Sequence, residues 1–316
     1  MDFIISLFAG ATNLLIILVL APLLQGLIKK TKAYWQMRQG PGLFQSYRDL
    51  RKLWTKEEVI SEHTSWIFLR TPEVVLASTI MAAFVVPNAF GWAPFSGYGD
   101  LFWFVASFAL GRFFIALAGL DTAGTFGGMG TSRELFVSVL VEPTFLLGLL
   151  VLAFLTGSTS LQGIIWGLTN VSIASTPRLL AIIALIIVTI AEMGRIPVDN
   201  PDTHLELTMI HEGMVLEYSG RSLAFLNYAE QIKQFILLLL LVNIIWPTTT
   251  SNGFGLSAVL IFGQTLIKIA LFGLIFATIE SITVKVRLFR LPNFLISGTA
   301  AAVLSLITFW LTRGRI

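Results

Sequence analysis

Cysteine is absent from this sequence, histidine occurs three times, and charged residues make up only 12%. Without cysteine the chain cannot hold an iron–sulfur cluster or carry out thiol chemistry. His63, His204 and His211 all fall in polar segments, which excludes haem held by paired imidazoles inside a bilayer. Electrons in any system that includes this chain must therefore run through a partner. Soluble domains carry about 25% charged residues. Here the charge is half that, with 55% hydrophobic residues and a mean hydropathy of +0.82. Internal repeats and separate soluble domains are not evident. The expectation is an all-α membrane protein, residues 1–316 forming a single polytopic domain.

A membrane-spanning helix needs about 20 predominantly apolar residues. Eight runs qualify as spans, at about 4–28, 72–91, 101–120, 134–156, 178–192, 234–247, 256–284 and 291–312. The fifth and sixth look short and are expected to continue into the polar segments beside them. The first run has no basic flank before it and is too long for the apolar part of a cleavable signal, so it is expected to remain as a span. Of the 21 Lys and Arg residues, 16 fall in the loops after spans one, three, five and seven, and none after spans two, four and six. The positive-inside rule then places the odd loops in the cytoplasm and both termini outside. The pI of about 9.3 reflects this bias and points to no nucleic acid.

Leu43, Tyr47, Leu50 and Trp54 recur at helical spacing in the first cytoplasmic loop, with Arg48, Lys52 and Lys56 on the other face. This predicts an amphipathic helix, suited equally to the membrane interface or to a docked protein. Gly40-Pro41-Gly42 predicts a turn before it. The stretch 120–133 is rich in glycine and reads as a connection; no Gly-Lys-Ser/Thr follows, so it is no phosphate loop. In the third cytoplasmic segment, 194–233, Asn200 can cap a helix whose first position is Pro201, with Asp202 in its first turn. His204 and His211 would share a face of that helix. With no third ligand at metal spacing, they read as interface residues and no metal site is expected.

Four charged residues lie well inside spans: Arg112, Glu142, Lys268 and Glu280. Each costs roughly 2.5–3.5 kcal/mol at a helix centre on insertion scales. They must pair, meet water or be neutralised. Glu142 precedes Pro143, which frees a carbonyl one turn back and invites water. Glu134, next to Arg133, lies on the same helix. The stretch 192–206 adds Glu192, Arg195, Asp199, Asp202 and Glu206 directly behind an apolar run, and Glu212 and Glu217 follow. For any one of these residues a static ion pair is an open alternative. As a set they predict a hydrated polar axis.

Three motifs in order carry a family resemblance. Arg195-Ile-Pro197-Val-Asp199-Asn-Pro201-Asp202-Thr-His-Leu-Glu206-Leu, followed by Glu217-Tyr218-Ser219-Gly220, resembles the third-loop signature of the complex I subunit 1 family. Arg38-Gln-Gly40-Pro41 with Asp49-Leu-Arg-Lys52 resembles its first-loop motif, and Arg133 with Glu142 its fourth-helix Arg and Glu. Departures select the branch: the first loop is shortened, His204 stands where quinone enzymes carry a Glu, and Arg287-Leu-Phe-Arg290 replaces their motif before span eight. The wording is similar to the membrane subunit of group 4 energy-converting nickel–iron hydrogenases, of the formate hydrogenlyase and hydrogenase-4 type.

The resemblance implies a complex I subunit 1-like fold in a bacterial or archaeal cytoplasmic membrane. It implies a non-catalytic subunit without its own cofactor. The nickel–iron centre and iron–sulfur clusters would sit in a hydrogenase large subunit and an iron–sulfur small subunit, with antiporter-like membrane subunits as further partners. Proton coupling is carried over to Glu142, Glu192, Asp199, Asp202, Glu206 and Glu217, with Arg195 matching the family's Arg. Glu134, Glu212, Lys268, Glu280, Arg112 and Arg133 join from position. Docking falls to Arg38, Gly40, Pro41, Arg48, Asp49, Lys52, Pro197, Pro201, His204 and His211. The alternatives are the equivalent subunit of a quinone-reducing complex and a stand-alone secondary transporter; the absence of repeats and paired helix breaks speaks against the latter.

Overall fold

A computed structural model describes residues 2–87, 100–199, 210–247, 256–286 and 288–313. Among the described residues the regular structure is helical, with one isolated bridge between Asp100 and Ser160. The helices are α1 (Asp2–Trp35), α2 (Gln45–Trp54), α3 (Trp66–Val85), α4 (Leu101–Asp121), α5 (Thr125–Thr156), α6 (Leu161–Gly167), α7 (Thr176–Glu192), α8 (His211–Val215), α9 (Gly220–Ile245), α10 (Leu256–Ile282) and α11 (Leu291–Arg313). Seven of them, α1, α3, α4, α5, α9, α10 and α11, are long and apolar enough to cross a membrane. The fifth expected span is α7. Its 17 residues reach only about 25 Å, short of a bilayer core of about 30 Å.

Helix α9 is the hub. Residues 234–244 are buried on every side, which a soluble amphipathic helix cannot be. It packs against α1, α2, α3, α7 and α10. On the other side of the bundle α7 lies between α5 and α11, and α3 runs along α4. Glycines permit close approach at the α4–α5–α8 junction: a side chain on Gly130 would stand 2.9 Å from the Ile210 carbonyl oxygen. At the end of α5, Gly157 takes a left-handed conformation (φ 72°) that closes the helix.

Several boundaries differ from the sequence reading. The sixth span starts at Gly220 rather than 234. Its polar residues Tyr228, Glu230 and Lys233 find protein partners, so polarity does not end the helix. The glycine-rich stretch 120–133 is no long connection: α4 runs to Asp121 and α5 starts at Thr125, because the glycines serve packing between helices. Helix α1 continues to Trp35, carrying Lys29, Lys30 and Lys32 with it. The expected first-loop helix is α2, which rests on α9 and α1. The expected helix start at Asn200 and Pro201, together with Asp202, His204 and Glu206, lies outside the described residues.

Candidate functional site: a buried charge network around α9

Two charge clusters meet on α9. The first is built where α4, α5 and α7 converge. Arg112 on α4 is buried and bonds both Glu142 on α5 and Glu192, the last residue of α7. Its Nε lies 3.4 Å from Glu134, also on α5. Lys233 on α9 reaches the second oxygen of Glu192 at 2.7 Å. That Lys233 contact lacks the direction of a hydrogen bond and acts as an ion contact. Three carboxylates therefore face two cations. A simple pair of Arg112 with Glu142 is the arrangement that sequence alone leaves open; the observed one is a branched network with one acid in excess.

The second cluster gathers around Arg195. Arg195, just past α7, donates to Gln25 on α1 at 2.6 Å and to Gln234 on α9 at 2.7 Å. Its Nε lies 3.6 Å from Glu280 on α10, which also pairs with Lys32 on α1 at 3.0 Å. Among the described residues, the Glu280 carboxylate faces both of these cations. The clusters are bridged along α9, because Gln234 accepts from Arg195 and donates to Glu230 at 3.0 Å. Ionisable groups therefore stand on both sides of Gln234 and Glu230 on α9.

Asp199 ties three segments together. It accepts from Lys285 at 2.7 Å and from the His211 backbone N–H at 3.2 Å. The Val286 N–H donates to the Pro197 carbonyl at 3.0 Å, so the chain beyond α10 is held against the chain beyond α7.

Cavities reach both clusters. One of about 80 Å³ is walled by Arg112, Glu134, Glu192, Asp199, Glu230 and Lys233, among others. A water needs roughly 10–15 Å³ of such space and two to four polar partners. This cavity offers both for several waters. A second, of about 550 Å³, is lined by Gln25, Lys29, Lys32, Arg38, Asp49, Arg195 and Gln234. Glu212 and Glu230 border both cavities, and also a third of about 260 Å³ beside Tyr218. They mark the junction between the interior cluster and the wider polar space.

The remaining expected residues fall in different places. Arg133 is half-buried on α5, and Glu217 is exposed near Gly124 at the start of α5. Lys268 stands apart from the network. It is buried at the other end of α9, donating to the Trp246 carbonyl at 3.2 Å and lying 4.7 Å from the Trp246 ring centroid. Arg38, Pro41 and Asp49 line the larger cavity, Gly40 packs back on α1 at Ala33, and Arg48 and Lys52 are exposed on α2. Pro197 and His211 sit beside Asp199; Pro201 and His204 lie outside the described residues.

Sequence reasoning misses Lys32, Glu230, Lys233, Gln234 and Lys285. Glu230, Lys233 and Gln234 recur at helical spacing, and that recurrence is the signal for a polar face. Hydropathy hides it, because a stretch this polar reads as loop.

Comparison with known proteins gives a consistent result. The profile of the family described as NADH dehydrogenase matches residues 9–312. Hydrogenase-4 component C of Escherichia coli (strain K12) is 35% identical, covering 94% of this chain and 93% of its own length. Formate hydrogenlyase subunit 4 of the same strain is 33% identical, covering 93% of this chain and 95% of its own. An NADH-quinone oxidoreductase subunit of Rubrobacter xylanophilus is 30% identical over 71% of this chain and 70% of its own. Among solved structures, a chain of the membrane-bound sulfane sulfur reductase, an archaeal respiratory membrane complex, aligns with TM-score 0.81 at 20% identity. That alignment covers 96% of this chain and all of the other, and it supports the fold.

Proposed function

This chain belongs to the NADH dehydrogenase family, in the sense of its complex I subunit 1 members, and from that premise we propose that it is the membrane-anchoring and proton-coupling subunit of an energy-converting nickel–iron hydrogenase complex of the formate hydrogenlyase type. The relatives that match nearly end to end carry hydrogenase names, whereas the quinone-oxidoreductase relative matches over a smaller share. The quinone-reducing alternative is correspondingly weaker. The nickel–iron centre and iron–sulfur clusters belong to peripheral partner subunits, and this chain transfers no electrons.

One observation carries the coupling role: the buried Arg112 and Glu192 and the half-buried Glu134, Glu142 and Lys233 meet beside a cavity large enough for water. A stability role alone gives no reason to keep so many ionisable groups in an apolar bundle, since well-packed hydrophobic residues hold as well or better. Protons enter from the cytoplasmic loops through the larger cavity, pass Glu212 and Glu230, and reach Glu192 and Glu142. The side chain of Glu142 is 38% exposed and shares a face of α5 with the exposed Leu135 and Val139. That face suits a neighbouring antiporter-like membrane subunit. Asp199, Asp202, Glu206 and Glu217 supply further acids on the cytoplasmic side.

In this reading α7 is the fifth of eight spans, a short one that packs against α5 and α11. Helix α2 lies at the cytoplasmic membrane surface, where Arg38, Arg48, Asp49, Lys52 and the third loop receive the hydrogenase arm. Both termini face outward, by the Lys and Arg bias of the loops.

The test replaces Glu142 or Glu192 by Gln in the assembled complex. Proton movement per hydrogen turned over is expected to collapse while dye-linked hydrogenase activity persists. Wild-type coupling in both variants would refute the proposal.

A further inference from the structure

The N-terminus of α9 is capped from another part of the chain. The first N–H groups of a helix have no partner within it, and a serine at the cap position ordinarily supplies one. Ser219 occupies that position, yet its side chain makes no such bond. It is engaged with the first loop instead, accepting from the Val59 N–H at 2.8 Å and donating to the Val59 carbonyl at 3.2 Å. Glu58 takes over the vacated task. Its Oε1 accepts from the Ser222 N–H at 2.7 Å and from the Ser222 hydroxyl at 3.1 Å, across 164 residues of sequence. A carboxylate at a helix N-terminus is favoured further by the helix dipole.

The neighbouring residues are shaped to the same contact. Gly220 has φ 52°, and a side chain there would stand 2.8 Å from the Glu57 carbonyl oxygen and 2.9 Å from that of Lys56. Tyr218 stacks on Phe68 of α3 with ring centroids 4.0 Å apart and donates to the Phe68 carbonyl at 2.9 Å. Burial pushes the Tyr218 hydroxyl above the usual phenol range, so it remains a donor. Tyr218, Ser219 and Gly220 thus each fasten the start of α9 to the first loop or to α3.

We propose that Glu58 is a positioning residue: it latches the first cytoplasmic loop to α9 and so sets the register in which Lys233 meets Glu192 and Gln234 meets Arg195. This rests on the coupling reading above and deepens it. Ser222 and Lys233 lie on one rigid helix, about 16 Å apart along its axis. A displacement of its first turn is felt at both clusters. Val59 and Ile60 are exposed on the latch itself. A peripheral subunit seated on them would exclude water from the Glu58–Ser222 contact and strengthen it. Docking and the charge network are then mechanically joined.

The experiment measures proton yield per hydrogen turned over, dye-linked activity and hydrogen exchange of the Ser222 amide in the intact complex. E58A is expected to lose Ser222 protection and to lower the yield, with about a fivefold shift in the latched population. Dye-linked activity stays unchanged. E58Q keeps an acceptor and is expected to fall between E58A and wild type. Since the chain has no cysteine, a V59C/S219C crosslink can be added to E58A alone, and it is expected to restore the yield.

Wild-type yield in E58A, or no recovery on crosslinking, overturns the positioning role. Should E58A not assemble, wild-type yield with reduced Ser222 protection in E58Q overturns it. E192Q measured in parallel separates the two readings. Uncoupled E192Q beside coupled E58A sinks the latch alone, whereas coupled E142Q and E192Q sink the function.

Discussion

Toward the C-terminal end of α9, Arg178 and Lys268 are buried against carbonyl oxygens; along its first half, the buried Arg112 and Arg195 and the half-buried Lys233 meet carboxylates and amides. Arg178 donates to the carbonyls of Leu168 and Ile244, each at 2.8 Å, and to that of Val171. Lys268 uses the Trp246 carbonyl and ring. These oxygens close helix ends, where carbonyls lack intrahelical partners and the dipole is negative. A carbonyl holds a cation but does not exchange a proton at ordinary pH. Among the described residues neither cation forms an ion pair, and neither borders the cavities around Glu230. The same cost of burying charge is met at one end by backbone carbonyls and at the other by carboxylates and amides beside a cavity. Buried charge by itself therefore identifies no function.

Three tests sharpen this contrast. The largest stability effect is expected from R178M, which takes the side-chain donor from the Val171 and Ile244 carbonyls at about 1–3 kcal/mol each, while the Leu168 carbonyl keeps the Val171 N–H. Membrane levels and thermal stability of the subunit should drop steeply, while proton yield per assembled complex stays at the wild-type value. A changed yield would erase the distinction between the two ends.

E192Q comes next. Breaking one partner of a buried pair costs about 3–5 kcal/mol. The cycle formed with K233M should show non-additivity of at least about 1 kcal/mol in thermal unfolding, because the two groups are in direct contact. Additive effects would mean that the network is not a unit. K268M should have the smallest effect, about 1 kcal/mol or less from the lost cation–π contact, with unaltered coupling. A K268M variant that uncouples would move the functional axis to the other end of α9.

Arg112, Glu142 and Glu280 are legible in the sequence because a charge in an apolar run is visible without a structure. Lys268 joins the same set for the same reason, and the fold separates it, since the position of a charge along a span says nothing about which helix faces it. Lys233 and Glu230 escape for the converse reason. A helix lined by protein tolerates polar residues that a lipid-facing helix does not, so hydropathy marks the start of α9 too late. The glycine-rich stretch misleads because glycine signals a turn as readily as it signals close packing. Pairings such as Arg195 with Glu280 or Glu58 with Ser222 join residues far apart in the chain and leave no local pattern.

Helical class and a place in the membrane were contained in the sequence because they depend on local quantities: the apolar length needed to cross a bilayer and the cost of leaving backbone polar groups unpaired within it. The tertiary structure decided which charges meet. An ion pair depends on distances of a few ångströms between helices, and only the packing of α4, α5, α7 and α10 around α9 sets those.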